Sequence, residues 1–195
     1  MVPLSIATSI AFRAHKGQKR ADGRDYIEHP LAVIEILMAA STHLPSHVYA
    51  AAVLHDVIED TELTYADLVK SVGRPIATTV LGLSRPQRFE RESTLAWEKR
   101  YLHQMVTVQS LEPSILLIKM ADRIHNLENT AALHSDKRED LFRTTRDLYL
   151  PFFETARKEQ PPTLHLAYET LLEHLEQLCR VPEKHDISQS VLVAA

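Results

Sequence analysis

The 195-residue sequence predicts a single all-α domain, a bundle of about eight to ten helices. Three observations predict it. Apolar residues recur at steps of three and four along most of the chain, no segment alternates apolar and polar residues as a half-buried strand does, and Pro30 and Pro45 stand where helices begin. Leu4, Ala7, Ile10, Ala11 and Ala14 mark one face of the first helix. Pro30 takes a first-turn position for a helix through Ala32, Val33, Ile36, Leu37 and Ala40. Pro45 and Ser46 open the next, which buries Ala50, Ala51, Val53, Leu54 and Val57 and carries residues 55–60 onward. Thr64 and Asp67 form a capping signal for a short helix closed by Gly73. Residues 74–83 make another, ended near Pro86. Residues 84–93, polar and mixed in charge, read as a mobile surface loop. A helix resumes at Ser93 or Thr94 and runs to about Ser110. Residues 115–121 are apolar on nearly all sides, the mark of a helix in mid-core. Residues 136–158 and 161–180 read as two long amphipathic helices. From Val181 the pattern fades, which predicts a domain over 1–180 and a tail over 181–195.

Composition narrows the function. Lys and Arg number 22 against 26 Asp and Glu, a net charge of −4 that argues against a nucleic-acid or anionic-membrane binder. Only 4 residues are glycine, and neither Gly-x-Gly-x-x-Gly nor Gly-x-x-x-x-Gly-Lys occurs, which excludes the usual glycine loops of dinucleotide and P-loop sites. A lone cysteine, Cys179, suits a reducing cytoplasm, and no run is long enough for a membrane span or a signal peptide. Histidine is plentiful, at 11 residues.

Three places put polar groups where an apolar helix would otherwise continue: His29 just before Pro30, residues 55–60 (HDVIED) after a buried run, and Asp122, His125 and Asn126 after residues 115–118. A buried unpaired carboxylate is costly, so Asp56 and Asp122 need a positive partner, and a metal ion is the most economical one. On a continuous helix His55 and Asp56 lie about 100° apart and can both reach an ion between their directions. Glu59 and Asp60 follow one turn later, at the rim, and Asp122, His125 and Asn126 share a face. Two imidazoles with two carboxylates are compatible with Mn, Fe or Zn.

These residues resemble the H…HD…D pattern of the HD superfamily of metal-dependent phosphohydrolases. Four ordered motifs, residues 14–20 (AHKGQKR), 26–31 (YIEHPL), 51–61 (AAVLHDVIEDT) and 119–127 (KMADRIHNL), resemble more closely the alarmone-hydrolase domain of RelA/SpoT-type enzymes and small alarmone hydrolases. No synthetase domain follows, which resembles the stand-alone form. The resemblance implies an HD-domain bundle that uses Mn²⁺ to remove the 3′-pyrophosphate of (p)ppGpp-like nucleotides, leaving the nucleoside 5′-di- or triphosphate. It implies His29, His55, Asp56 and Asp122 as Mn ligands, Glu59 and Asp60 as the acidic pair that orients or activates water, Arg20 packed on the nucleobase, Asn126 on the substrate side and Tyr149 near the base.

A polyanionic substrate calls for local positive charge. Lys16, Lys19, Arg20 and Arg24 lie close in sequence, and Arg85, Arg88, Arg91, Lys99 and Arg100 flank the 84–93 loop. Lys99 or Arg100 is the expected phosphate contact, because a rigid helix holds a phosphate better than a loop does. Ala21 stands where the family has Lys, and Leu127-Glu128-Asn129 where it has Met-Arg-Thr. Both departures flank the nucleotide pocket, so (p)ppApp stands beside (p)ppGpp as substrate. Two other readings remain open: an HD phosphohydrolase acting on a 2′- or 3′-monophosphate such as that of NADPH, and a module that binds nucleotide without turnover.

Overall fold

The computed structural model describes residues 3–180; the tail expected over 181–195 lies outside the described residues. The described residues form a helical bundle with one isolated antiparallel bridge, Lys19 to Asp25. Its helices are α1 (Leu4–Ala14), α2 (Glu28–Ala40), α3 (Ser46–Val53), α4 (Val57–Asp60), α5 (Tyr65–Val72), α6 (Arg74–Leu83), α7 (Thr94–Gln109), α8 (Ile115–Glu128), α9 (Ser135–Thr144), α10 (Leu150–Ala156) and α11 (His165–Cys179). Every residue of α8 from Ile115 through His125 is buried, and α2, α3, α6, α7, α9 and α11 all pack against it. That matches its all-round apolar sequence.

Local chemistry sets the ends. Thr64 and Asp67 complete a reciprocal capping box at α5, and Gly73, at φ +85°, turns the chain directly into α6. Ser93 Oγ accepts the Ala96 N–H at the start of α7. At Gly82, an added Cβ would lie 2.7 Å from Ile115 Cδ1 and 2.8 Å from Val108 Cγ2, so only glycine lets α6 lie this close to α7 and α8.

Two helices that hydrophobic spacing reads as continuous are interrupted. The one expected through residues 55–60 breaks after Val53. The Ala52 carbonyl, which would accept the Asp56 N–H, instead receives the His55 N–H at 3.3 Å and His55 Nδ1 at 2.7 Å. His55 and Asp56 therefore sit in a tight turn between α3 and the single-turn α4. The helix expected over 136–158 gives way to a π-turn at Thr145–Tyr149. There Thr145 Oγ1 donates to the Leu141 carbonyl at 2.7 Å while accepting from Arg123 Nε and Nη2, and Pro151 follows without an N–H.

The 84–93 segment is irregular but tied down, contrary to the loose loop its polarity predicts. Arg100 pairs with Glu92 at 2.8 Å, the Phe89 N–H reaches Glu92 Oε2 at 3.0 Å, and Trp97 Nε1 donates to the Pro86 carbonyl at 2.7 Å. Among the described residues no helix is long and apolar enough to cross a membrane.

Candidate metal centre and its cavity

Four side chains from three parts of the chain converge against α8. His29 comes from the first turn of α2, His55 and Asp56 from the α3–α4 turn, and Asp122 from α8. His29 Nε2 lies 3.4 Å from Asp56 Oδ2 and 3.2 Å from Asp122 Oδ1; His55 Nε2 lies 3.0 and 3.7 Å from the same two oxygens. The two Nε2 atoms are 3.2 Å apart. Donors held about 2.1 Å from one cation stand roughly 3.0–3.5 Å from each other, so the grouping of His29, His55 and Asp122 is close to what one cation would need, with Asp56 Oδ2 beside the two imidazoles. His29, His55 and Asp122 are buried, with ligand atoms within 4.8 Å of one another.

Hydrogen bonding decides which atoms face inward. His55 Nδ1 donates to the Ala52 carbonyl, which leaves its Nε2 lone pair for the cage. His29 Nδ1 lies 2.8 Å from His125 Nδ1; for His29 to present Nε2 as a lone pair, its Nδ1–H donates and His125 accepts. Burial, then the neighbouring His29, pushes His125 down to about 4, the neutral state that acceptance requires. His125 thus stands behind the cage rather than in it.

Electrostatics ask for positive charge at the centre. Burial opposes charging of His55, yet the Asp56 and Asp122 carboxylates push its imidazole up to about 10. Burial raises Asp122, but Lys119, 2.8 Å from Oδ2, and the two imidazoles hold it well below the usual carboxylate range. A divalent cation in place of the proton that His55 holds would meet two imidazole nitrogens and carboxylate oxygens, a donor set that fits it.

Around the cage lies a cavity of about 180 Å³, also lined by Glu59, Asp60, Tyr26, Asn126 and the cations Arg20, Arg85, Lys119 and Arg123. Glu59 Oε2 accepts the Arg85 backbone N–H at 2.8 Å; burial raises the Glu59 carboxyl above its ordinary value. Asp60 Oδ2 accepts from the Tyr26 phenol at 2.6 Å, and the same oxygen of Tyr26 is 2.8 Å from Asp56 Oδ2, so one phenol bridges a cage carboxylate and a rim carboxylate. Tyr26 is itself stacked on His15, with ring centroids 4.6 Å apart. Asn126 donates to Asp122 Oδ1 at 2.6 Å and accepts from Arg20 Nη2 at 2.9 Å. A second cavity of about 410 Å³ adjoins the first through Arg20, Tyr26, Asn126 and Leu141 and extends to Asn129 and Lys137.

Of the residues singled out in the sequence, His29, Asp56, Asp122, Glu59, Asp60, Arg20 and Asn126 line this cavity, His55 adjoins it through His29 and Asp56, and Lys99, Arg100 and Tyr149 are not part of its lining. Glu98, Tyr101, Leu102 and Met105 form the buried face of α7. Their neighbours Lys99 and Arg100 therefore project elsewhere, about 100° further around the axis per residue. Arg100 is committed to Glu92, the Gln87 carbonyl and the Phe89 ring. Tyr149 is fully buried at the end of the π-turn, its hydroxyl donating to Glu98 Oε2 at 2.7 Å and its ring 3.7 Å from the Arg123 guanidinium carbon. It is a core residue away from both cavities. Sequence reasoning passed over Lys119 and Arg123 and named Arg85 only among the cations flanking the 84–93 loop, although a lysine inside the most apolar helix, three residues before Asp122, was a visible signal.

Comparison with known proteins agrees with this architecture. The HD domain family (HD_4) matches residues 7–159. The bifunctional (p)ppGpp synthase/hydrolase SpoT of Escherichia coli K12 is 37% identical over 148 residues, 76% of this chain and 21% of that protein. A guanosine-3′,5′-bis(diphosphate) 3′-pyrophosphohydrolase of Haemophilus influenzae is 36% identical over 142 residues, 73% of this chain and 21% of its own. The chain spans about a fifth of the length of these curated relatives. A solved structure described as a metazoan ortholog of SpoT that hydrolyzes ppGpp superposes with a TM-score of 0.65 at 20% identity, covering 89% of this chain and 97% of that one. With the family match spanning most of the bundle, and the H…HD…D side chains gathered at one point within it, the chain belongs to the HD domain family.

Proposed function

We propose that the protein hydrolyses the 3′-pyrophosphate of alarmone nucleotides, (p)ppGpp or (p)ppApp, with Mn²⁺, releasing pyrophosphate and the nucleoside 5′-di- or triphosphate. The observation that carries this reading is the shared cavity, where His29, Asp56 and Asp122, two rim carboxylates and four cations lie together, with His55 against the first three. The relatives named for (p)ppGpp hydrolysis support the choice of nucleotide. The single buried cysteine fits a reducing compartment, and the reading places the reaction in the cytoplasm.

His29, His55, Asp56 and Asp122 would hold the metal. Bound there, Mn²⁺ supplies Lewis acidity toward phosphate oxygens and lowers the pKa of water at the site. Glu59 takes the proton from the attacking water as the new O–P bond forms, the bond from phosphorus to the 3′-oxygen breaks, and the departing 3′-oxygen takes up a proton from solvent to become the ribose hydroxyl. Its acceptance of the Arg85 N–H fixes one carboxylate oxygen and leaves the other for the water. Asp60, held by Tyr26, orients the same water. The larger cavity takes the nucleoside, with Arg20 against the base and Asn126 linking Arg20 to Asp122.

The test is to incubate Mn-loaded protein with ppGpp, pppGpp and ppApp and to separate the products by chromatography. Pyrophosphate with the 5′-nucleotide is the expected result. Orthophosphate from a 2′- or 3′-monophosphate substrate instead points to a phosphomonoesterase, and tight nucleotide binding with no product after hours points to a sensing module.

A further inference from the structure

The geometry points to Arg85 as the residue that binds the diphosphate group, on the substrate and on the pyrophosphate product, through its guanidinium. The inference rests on the hydrolase reading and names a phosphate contact that α7 does not provide.

Arg85 is rigid on both its main chain and its side chain. The preceding Ser84 N–H closes α6 on the Val80 carbonyl at 3.0 Å, the following Pro86 restricts the Arg85 backbone, and Trp97 Nε1 anchors the Pro86 carbonyl. The Arg85 N–H, so fixed, holds Glu59. Arg85 lines the same cavity as His29, Asp56 and Asp122, and its side-chain Nε stands 4.0 Å from the cavity carboxylate of Glu59. Nη1 donates to Glu98 Oε1 at 2.6 Å, and the guanidinium carbon lies 4.9 Å from the Trp97 ring centre and 5.2 Å from that of Tyr101. Glu98 cannot swing away, because its other oxygen is taken by the buried Tyr149 hydroxyl.

This clamp uses one face of the guanidinium and leaves the rest. Nη2 makes no hydrogen bond among the described residues, and Nε stands 4.0 Å from Glu59 Oε1, too far for one. The other cations of the cavity are committed: Lys119 to Asp122, Arg20 to Asn126, and Arg123 to Thr145 and the Leu141 carbonyl. Nε and Nη2 together form the planar fork that phosphate oxygens accept in pairs. A fork pre-set by Glu98 loses little side-chain freedom on binding.

The test is calorimetry of inorganic pyrophosphate into the Mn²⁺-loaded protein, with Mn²⁺ affinity and steady-state kinetics measured alongside. Arg85→Ala is expected to weaken pyrophosphate binding by about 10–100-fold, the range for losing charge-assisted hydrogen bonds, and to leave Mn²⁺ affinity unchanged. Arg88→Ala, on the same loop but outside the cavity, is expected to match the wild type. Should Arg85→Ala fail to fold, Arg85→Gln, which still donates to Glu98, decides the matter with the same expected loss. Unchanged pyrophosphate affinity in the folded variant, an equal loss of Mn²⁺ affinity, or no pyrophosphate binding by the wild type overturns the assignment. If the wild type cleaves none of the nucleotides yet binds pyrophosphate through Arg85, the hydrolase reading falls and the subsite stands; cleavage with Arg85-independent binding has the opposite meaning.

Discussion

Two walls of one cavity are built on different principles. The metal wall takes its donors from α2, the α3–α4 turn and α8, each fixed by a short bond to backbone or to a buried neighbour: His55 to the Ala52 carbonyl, His29 to His125, Asp122 to Lys119. A second part of the lining takes Arg85 from an irregular segment and holds it through Glu98, Tyr149 and two aromatic rings. Position comes from helices and one hydrogen-bonded turn on the first wall and from a buried ionic clamp on the second.

The comparison can be broken most sharply on the metal side. Asp56→Ala is expected to lose Mn²⁺ binding and turnover together, read by calorimetry and product release; retained metal would remove Asp56 from the cage. Glu59→Gln is expected to keep Mn²⁺ affinity and lower kcat by about 10²–10⁴-fold, the usual worth of a general base. Because burial raises the Glu59 carboxyl and the base works only when ionised, activity falls as pH drops through its pKa. That acid limb is expected above the ordinary glutamate value of about 4.3 and absent from the residual activity of Glu59→Gln. His125→Phe keeps a ring but removes the acceptor behind His29, and is expected to weaken Mn²⁺ by about 10–100-fold, as losses behind a ligand do. Away from both walls, Lys99→Ala is expected to leave kcat/KM within about twofold, since an exposed side chain off the cavity carries little. Gly82→Ala should cost about 1 kcal/mol in a thermal melt. Overpacking against Ile115 and Val108 costs about 1–3 kcal/mol, and better helix propensity offsets about 0.5–1 of it.

The two walls also differ in how far they were legible. His29, His55, Asp56 and Asp122 stood out because each interrupts an apolar pattern, and such interruptions survive any error in helix boundaries. Even the mistaken continuous helix through residues 55–60 left them in the right neighbourhood. The choice of Lys99 or Arg100 failed because it required knowing which face of α7 is buried. The one charged residue on that face, Glu98, decides it, and its partner Arg85 lies in a segment without periodicity. Tyr149 was misplaced for a related reason: the π-turn, set by the Arg123 and Thr145 contacts with the Leu141 carbonyl, shifts its register into the core. Contacts between residues 18 or more positions apart leave no mark on local spacing.

The cage draws its donors from segments that are 26 residues or more apart along the chain, except for the adjacent His55 and Asp56. An unfolded polypeptide has no such grouping, so cation uptake and folding are linked by mass action. At 100 times its dissociation constant the ion adds about 2.7 kcal/mol to stability. For a domain of this size that corresponds to a rise of roughly 5–10 °C in Tm. A chelator titration followed by melting therefore weighs the cage without any nucleotide present.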